Sequence, residues 1–218
     1  MKTKKHQMQS RTQRFKTALA YETELERAIG DCKTILDVGC GSASPIRNFS
    51  GKFYSVGVDA FAPSVKTSME KQIHNDYCQL DVLSIDHRFT PGSFDCVLAL
   101  DLIEHFNKSD GVRLIGKMEK IASKKVIIFT PNGFLSQNEY DDNPLQVHLS
   151  GWTVGEMRKM GYRVIGINGW KPLRGENAAV RLWPKKPWKW ITTRTQLFVR
   201  NHPEMAFQIL CVKEKAEG

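Results

Sequence analysis

The chain of 218 residues contains no CxxC pair and only five cysteines, Cys32, Cys40, Cys78, Cys96 and Cys211. That odd, scattered set excludes a zinc ribbon and an extracellular disulfide scaffold, and it reads as reduced thiols in a cytosolic compartment. No apolar run approaches the roughly 20 residues that a membrane-spanning helix needs. The opening MKTKKHQMQSRTQRFK has no apolar segment behind it, so no secretory leader is expected. The phosphate-cradling pattern of a glycine, four residues, then Gly-Lys and Ser or Thr is missing, which removes the main nucleoside-triphosphate reading. There is also no internal repeat and no second apolar core, so a single domain is expected.

What is present is basic but unevenly so. The formal charge is +9. Residues 1–17 carry six Lys or Arg and no acid, residues 171–218 carry ten against four, and residues 18–170 carry 16 against 19. A mildly acidic centre is flanked by two basic ends, which favour an anionic partner such as nucleic acid, a phosphorylated small molecule or an acidic membrane surface. A solubilising tail and a solvated face explain the same charges.

The order of elements is more specific. Residues 17–29 have a helical apolar period through Leu19, Leu25 and Ile29. Short apolar strands follow at KTILDVG (33–39), YSVGVD (54–59), CQLDV (78–82), FDCVLAL (94–100) and KVIIFT (125–130), with helices expected at 63–73 and from Ser109 or Asp110. Thr153 and Glu156 form a capping-box signature, and Gly161 closes that helix. The last strands are expected at 162–167 and 206–212. Alternating strands and helices call for right-handed crossovers, hence an α/β fold with a mainly parallel sheet, and the long final connection suggests an antiparallel edge strand.

Three acidic strand ends fall on one edge of such a sheet. Asp37 precedes Gly39 and Gly41, whose missing side chains let the backbone approach a ligand. Asp59 ends the second strand, where its carboxylate can accept from both hydroxyls of a ribose. Asp81 ends the third and can accept from an exocyclic amine of adenine or cap a helix. In an open α/β sheet, ligands bind beyond these carboxyl ends. A dinucleotide site uses the same features, but Ser44 stands where the third glycine of its GxGxxG turn would fall.

DVGCG, VGVD, QLDV, FDCVLALDLIEH and VIIFTPNG, in this order, resemble the class I S-adenosylmethionine-dependent methyltransferases, over about residues 30–167. The resemblance implies a Rossmann-like, seven-stranded sheet of order 3-2-1-4-5-7-6, strand 7 antiparallel, with helices on both faces. It places Asp37 and the Gly39–Cys40–Gly41 turn at the methionine end of S-adenosylmethionine. It places Asp59 with Ala60 at the ribose, Asp81 with Val82 at the adenine, and Leu100 with Asp101 along the cofactor and substrate mouth. Ala43 departs from the family, which usually has a third glycine there.

Methyl transfer from a sulfonium is an in-line displacement that needs neither a covalent nucleophile nor a metal, and no metal site is expected. A hydroxyl acceptor benefits from a base. His105, after strand 4, and His148, at the end of the long polar stretch 132–150, are the candidates. Asp141 and Asp142 lie in that stretch, which reads as a substrate loop. The same region is similar to small methyltransferases of polysaccharide and cell-surface sugar biosynthesis, implying O-methylation of a saccharide or a lipid-linked one. WPKKPWKW (183–190) sits in a basic, Trp-rich insertion, 171–205. It fits stacking on bases, contact with an anionic membrane face, or a loop covering the sheet. An RNA methyltransferase is the alternative, although the Pro-Pro-aromatic signature of adenine-methylating enzymes is absent after strand 4. A non-enzymatic scaffold on the same fold is the third reading.

Overall fold

The computed structural model describes residues 21–137, 143–174, 180, 183 and 185–215. The basic arm, the first turn expected of the opening helix, and Asp141 and Asp142 lie outside the described residues. A helix over 21–29 (α1) leads into seven strands: β1 Thr34–Val38, β2 Tyr54–Asp59, β3 Asp76–Gln79, β4 Phe94–Leu100, β5 Ala122–Pro131, β6 Arg163–Trp170 and β7 Ala206–Glu214, with α2 (Ala62–Glu70) between β2 and β3. They form one sheet in the order β3-β2-β1-β4-β5-β7-β6. β7 runs antiparallel to both β5 and β6, and the other pairings are parallel. The expected fold class is therefore the observed one.

Alternation along the strands divides the core into two layers. Leu36, Val38, Val97, Ala99, Val126 and Ile128 face one side, under α3 (Lys108–Ile121) and α4 (Val154–Lys159), with the fully buried Trp152 between them. Ile35, Cys96, Leu98, Ile127 and Phe129 face the other, under Leu25, Ala28 and Ile29 of α1. A bidentate ion pair from Arg200 to Glu24 (2.9 and 3.0 Å) ties α1 to the far end of the chain. α4 starts as its sequence dictates: Thr153 Oγ1 accepts from the Glu156 N–H, and Glu156 Oε2 accepts from the Thr153 N–H. All five cysteines are free thiols.

Two expectations shift. β3 ends at Gln79, so Asp81 is not a strand end but the N-cap of a 3-10 turn over Val82–His87, accepting from the Leu83 N–H at 2.9 Å. The Trp-rich insertion holds a 15-residue helix, α5 (Lys185–Val199), although its sequence has no clean 3.6-residue apolar period. Pro187 falls in its first turn, where the missing N–H costs nothing.

α5 lies on β6 at a distance only glycine allows. A Cβ built on Gly166 would sit 1.9 Å from the Val199 carbonyl oxygen. By contrast, a Cβ on Gly116 in α3 meets nothing within 4 Å. Gly166→Ala is expected to cost about 3 kcal/mol through forced displacement of α5, and Gly116→Ala to add about 0.5–1 kcal/mol. Urea midpoints of the two variants, moving in opposite directions, check both.

Candidate functional site

Parallel pairing brings the carboxyl ends of five strands to one edge, with Val38 level with Val58 and Ala99, Asp59 with Gln79, and Leu100 with Phe129. The turn after β1 is folded onto β2 by its own backbone. The Gly39 and Cys40 N–H groups both donate to the Val58 carbonyl (2.7 and 3.0 Å), and the Gly41 N–H donates to Asp59 Oδ2 at 2.9 Å. Gly39 and Gly41 have φ of +70° and +57°, which β-carbon-bearing residues resist. A Cβ on Gly39 would also meet Leu102 at 2.4 Å, so the segment after β4 closes directly over the turn.

Asp59 is half-buried, and its second oxygen accepts from the Phe61 N–H at 2.8 Å across Ala60. Burial pushes its carboxyl above the usual range, against the pull of these N–H groups. Each oxygen keeps a lone pair for a further donor. The Cys40 thiol is buried, its sulfur against Gly57, so Cys40 belongs to the site through its backbone only. Val82 likewise buries its side chain in the core, while Asp81 is exposed at the end of β3 with one oxygen used by its cap.

Asp37 is 1% exposed and is held by two partners on one oxygen, Ser44 Oγ at 2.6 Å and His74 Nε2 at 2.9 Å. Its other oxygen, Oδ1, is buried with no hydrogen-bond partner. The Tyr21 hydroxyl, on α1, is also buried and unpartnered, and Tyr21 stacks on Phe129 with centroids 4.0 Å apart. Burial, then the Asp101 and Asp37 carboxylates, raise its pKa. A buried polar atom without a partner is costly unless a ligand supplies one. Here one orphan is an acceptor and the other a donor, the pair that the ammonium and carboxylate of a methionine moiety require. With Asp59 for ribose hydroxyls, the residues present fit S-adenosylmethionine. Tyr21 and His74 carry no sequence signal: a lone Tyr and a lone His at no motif spacing.

The segment after β4 supplies the opposite wall. Asp101 takes φ +51° and accepts from Gln208 Nε2 at 3.2 Å. Surrounding protein raises its carboxyl to about 7, although solvent still reaches it through the crevice. Glu104 is 1% exposed, with Oε2 accepting from Thr130 Oγ1 at 2.9 Å and Oε1 buried without a partner. Burial, then Asp101, push its carboxyl well up. The 132–150 loop docks on this segment: the Leu149 and Ser150 N–H groups both donate to the Glu104 carbonyl (2.8 and 3.0 Å). That docking brings His148 to His105, with ring centroids 4.8 Å apart and near edge-to-face. His105 Nδ1 lies 3.2 Å from the Val147 carbonyl and His148 Nδ1 2.6 Å from the Leu135 carbonyl. Since a carbonyl only accepts, both Nδ1 atoms carry the proton and both Nε2 atoms present a lone pair. Burial lowers the pKa of each imidazole. The two candidate histidines, 43 positions apart in the chain, are thus neighbours.

The Ser44–Asp37–His74 network should hold the turn as well as the acid. His74→Leu removes one of two partners from a buried carboxylate and is expected to cost about 2–3 kcal/mol of stability. Chemical denaturation of the variant checks this, and Ser44→Ala is expected to lower the midpoint in the same direction.

Residues 36–129 match the methyltransferase domain family. No curated protein matches the chain. Solved structures similar to it include an S-adenosylmethionine-dependent methyltransferase from Archaeoglobus fulgidus, 15% identical with a TM-score of 0.58, covering 91% of this chain and 94% of that one. The methyltransferase domain of bacterial CtHen1 is 16% identical with a TM-score of 0.57, covering 90% and 98%. The plantazolicin methyltransferase BpumL, solved with S-adenosylhomocysteine, is 14% identical with a TM-score of 0.54, covering 93% and 84%. At these identities the structures speak for the fold, and the domain match spans the strands that carry the acidic rim. Strand order and rim agree with the domain match over residues 36–129: the chain has the Rossmann-like methyltransferase fold and reads as an S-adenosylmethionine-dependent methyltransferase.

Proposed function

We propose that the enzyme methylates a hydroxyl group of a small polar acceptor, of the saccharide class. The observation that carries this is the cluster of basic lone pairs beside the cofactor rim: Nε2 of His105, Nε2 of His148 and the unpartnered Oε1 of Glu104. An amine needs only to arrive deprotonated. A hydroxyl must shed its proton as it attacks, which calls for such a cluster. The bound cofactor supplies a methyl group on a sulfonium. The new O–C bond forms as the C–S bond breaks, the electron pair passes to sulfur, and the hydroxyl proton leaves towards the cluster.

The protein's part is positioning. Asp37, Tyr21 and Asp59 fix the donor, while the docked 132–150 loop holds the acceptor side and keeps water out. Orientation of this kind is worth up to about 7–11 kcal/mol. Leu102, Leu100 and Asp101 line the mouth between the two halves. Lipid-linked saccharides belong to the same acceptor class, and Trp183, 85% exposed, offers an apolar surface for contact with a lipid. Of WPKKPWKW, only the Trp183 and Trp188 side chains are among those described. Contact with an anionic membrane face remains part of this reading. Among the described residues, no helix is long and apolar enough to cross a membrane.

A screen with labelled methyl donor against sugar nucleotides, lipid-linked sugars and bulk RNA tests the acceptor. Label in a saccharide arm is the expected result; label in RNA alone would establish the alternative that the +9 charge favours. Asp59→Ala is expected to weaken S-adenosylhomocysteine binding by about 2–3 kcal/mol, on the order of 30- to 150-fold, in calorimetry. His105→Ala and His148→Ala are expected to lower turnover by about 10²–10⁴ while leaving that affinity within a few fold.

A further inference from the structure

The structure assigns Glu104, His105 and His148 as a divalent metal-ion site. One ligand atom from each residue lies within 4.8 Å of the other two. Ligands bonded at about 2.1 Å to one cation lie about 3.0–4.2 Å apart, so a contraction of about 0.6–1.8 Å at most closes the set.

Three further features favour a cation. Glu104 is 1% exposed, and its Oε1 has no hydrogen-bond partner, although Oε2 is fixed by Thr130 at 2.9 Å. Such an atom calls for a positive partner. Both imidazoles have their outer nitrogen anchored on a backbone carbonyl, Val147 for His105 and Leu135 for His148, which is how metal-ligating histidines are held and their tautomer fixed. The backbone also pre-forms the set: adjacent positions 104 and 105 sit on one short 3-10 turn, Ile103–His105, and His148 is clamped to it through the Leu149 and Ser150 N–H groups on the Glu104 carbonyl.

Two imidazoles and one carboxylate with open positions suit a borderline ion such as Mn²⁺, Fe²⁺, Co²⁺ or Zn²⁺ better than Mg²⁺, which prefers oxygen ligands. Such an ion would take the acceptor's oxygen at an open position and lower its pKa as a Lewis acid. The histidines would then hold the metal rather than take the proton, which would pass to Asp101 or to water. This use rests on the hydroxyl-acceptor reading; the metal site itself does not.

The test is a Co²⁺ titration of the full chain after chelator treatment, followed by visible absorption and calorimetry, without acceptor. The expected result is saturation at one equivalent, competition by Mn²⁺ and Zn²⁺, and weak competition by Mg²⁺. Glu104→Gln and His148→Ala are expected to weaken Co²⁺ about 100-fold or more. Unchanged S-adenosylhomocysteine affinity shows that each variant is folded, and His105→Gln replaces either that is not. Absence of stoichiometric Co²⁺ binding, or equal binding by wild type and folded variants, overturns the site. If the metal binds but no hydroxyl acceptor is methylated, the acceptor reading fails and the site stands.

Discussion

Four hydrogen bonds decide where this enzyme can hold a ligand. The Val58 carbonyl takes the Gly39 and Cys40 N–H groups, and the Asp59 carboxylate takes those of Gly41 and Phe61. Together they fold the turn after β1 over the end of β2 and set Asp59 at its lip. The same bonds use up the turn's N–H groups, so a ligand meets bare glycine surface there rather than free donors. The unpartnered polar atoms beside the turn belong to side chains, Asp37 Oδ1 from β1 and the Tyr21 hydroxyl from α1, both buried.

The opposite wall depends on a different kind of constraint. Glu104 contributes through its backbone as well as its side chain: its carbonyl anchors the Leu149 and Ser150 N–H groups, while its carboxyl is buried with Oε1 unpartnered. The bonds of Leu149 and Ser150 to the Glu104 carbonyl hold His148 beside His105. Methyl transfer asks an enzyme for alignment and exclusion of water more than for covalent chemistry.

Much of this was legible in the sequence because it is local. The strands, the Thr153–Glu156 cap and the rim acids Asp37 and Asp59 follow from apolar runs, turn residues and short spacings, while the strand order follows from the family resemblance. What was not legible depends on chain separated by long distances or on competing local roles. Nothing near His74 signals that its ring reaches Asp37, 37 positions earlier. Tyr21 lies before the first strand, and the place of its buried hydroxyl is set by packing on Phe129. Asp81 reads as a strand end, yet the chain leaves β3 two residues earlier and uses its carboxylate as a cap. α5 was hidden because Trp, Lys and Pro obscure its period, and what holds it on β6 is an absence, the missing side chain of Gly166. His105 and His148 were each visible as candidates, but their proximity to one another and to Glu104 arises only when the loop is docked.

The most direct test of the whole arrangement is a crystal structure of the chain grown with S-adenosylhomocysteine. The account expects the ribose hydroxyls on Asp59, the ammonium on Asp37, and the sulfur directed across Leu102 towards Glu104, His105 and His148. A cofactor bound away from the Gly39–Gly41 turn, or one whose sulfur faces away from the histidine pair, would contradict it.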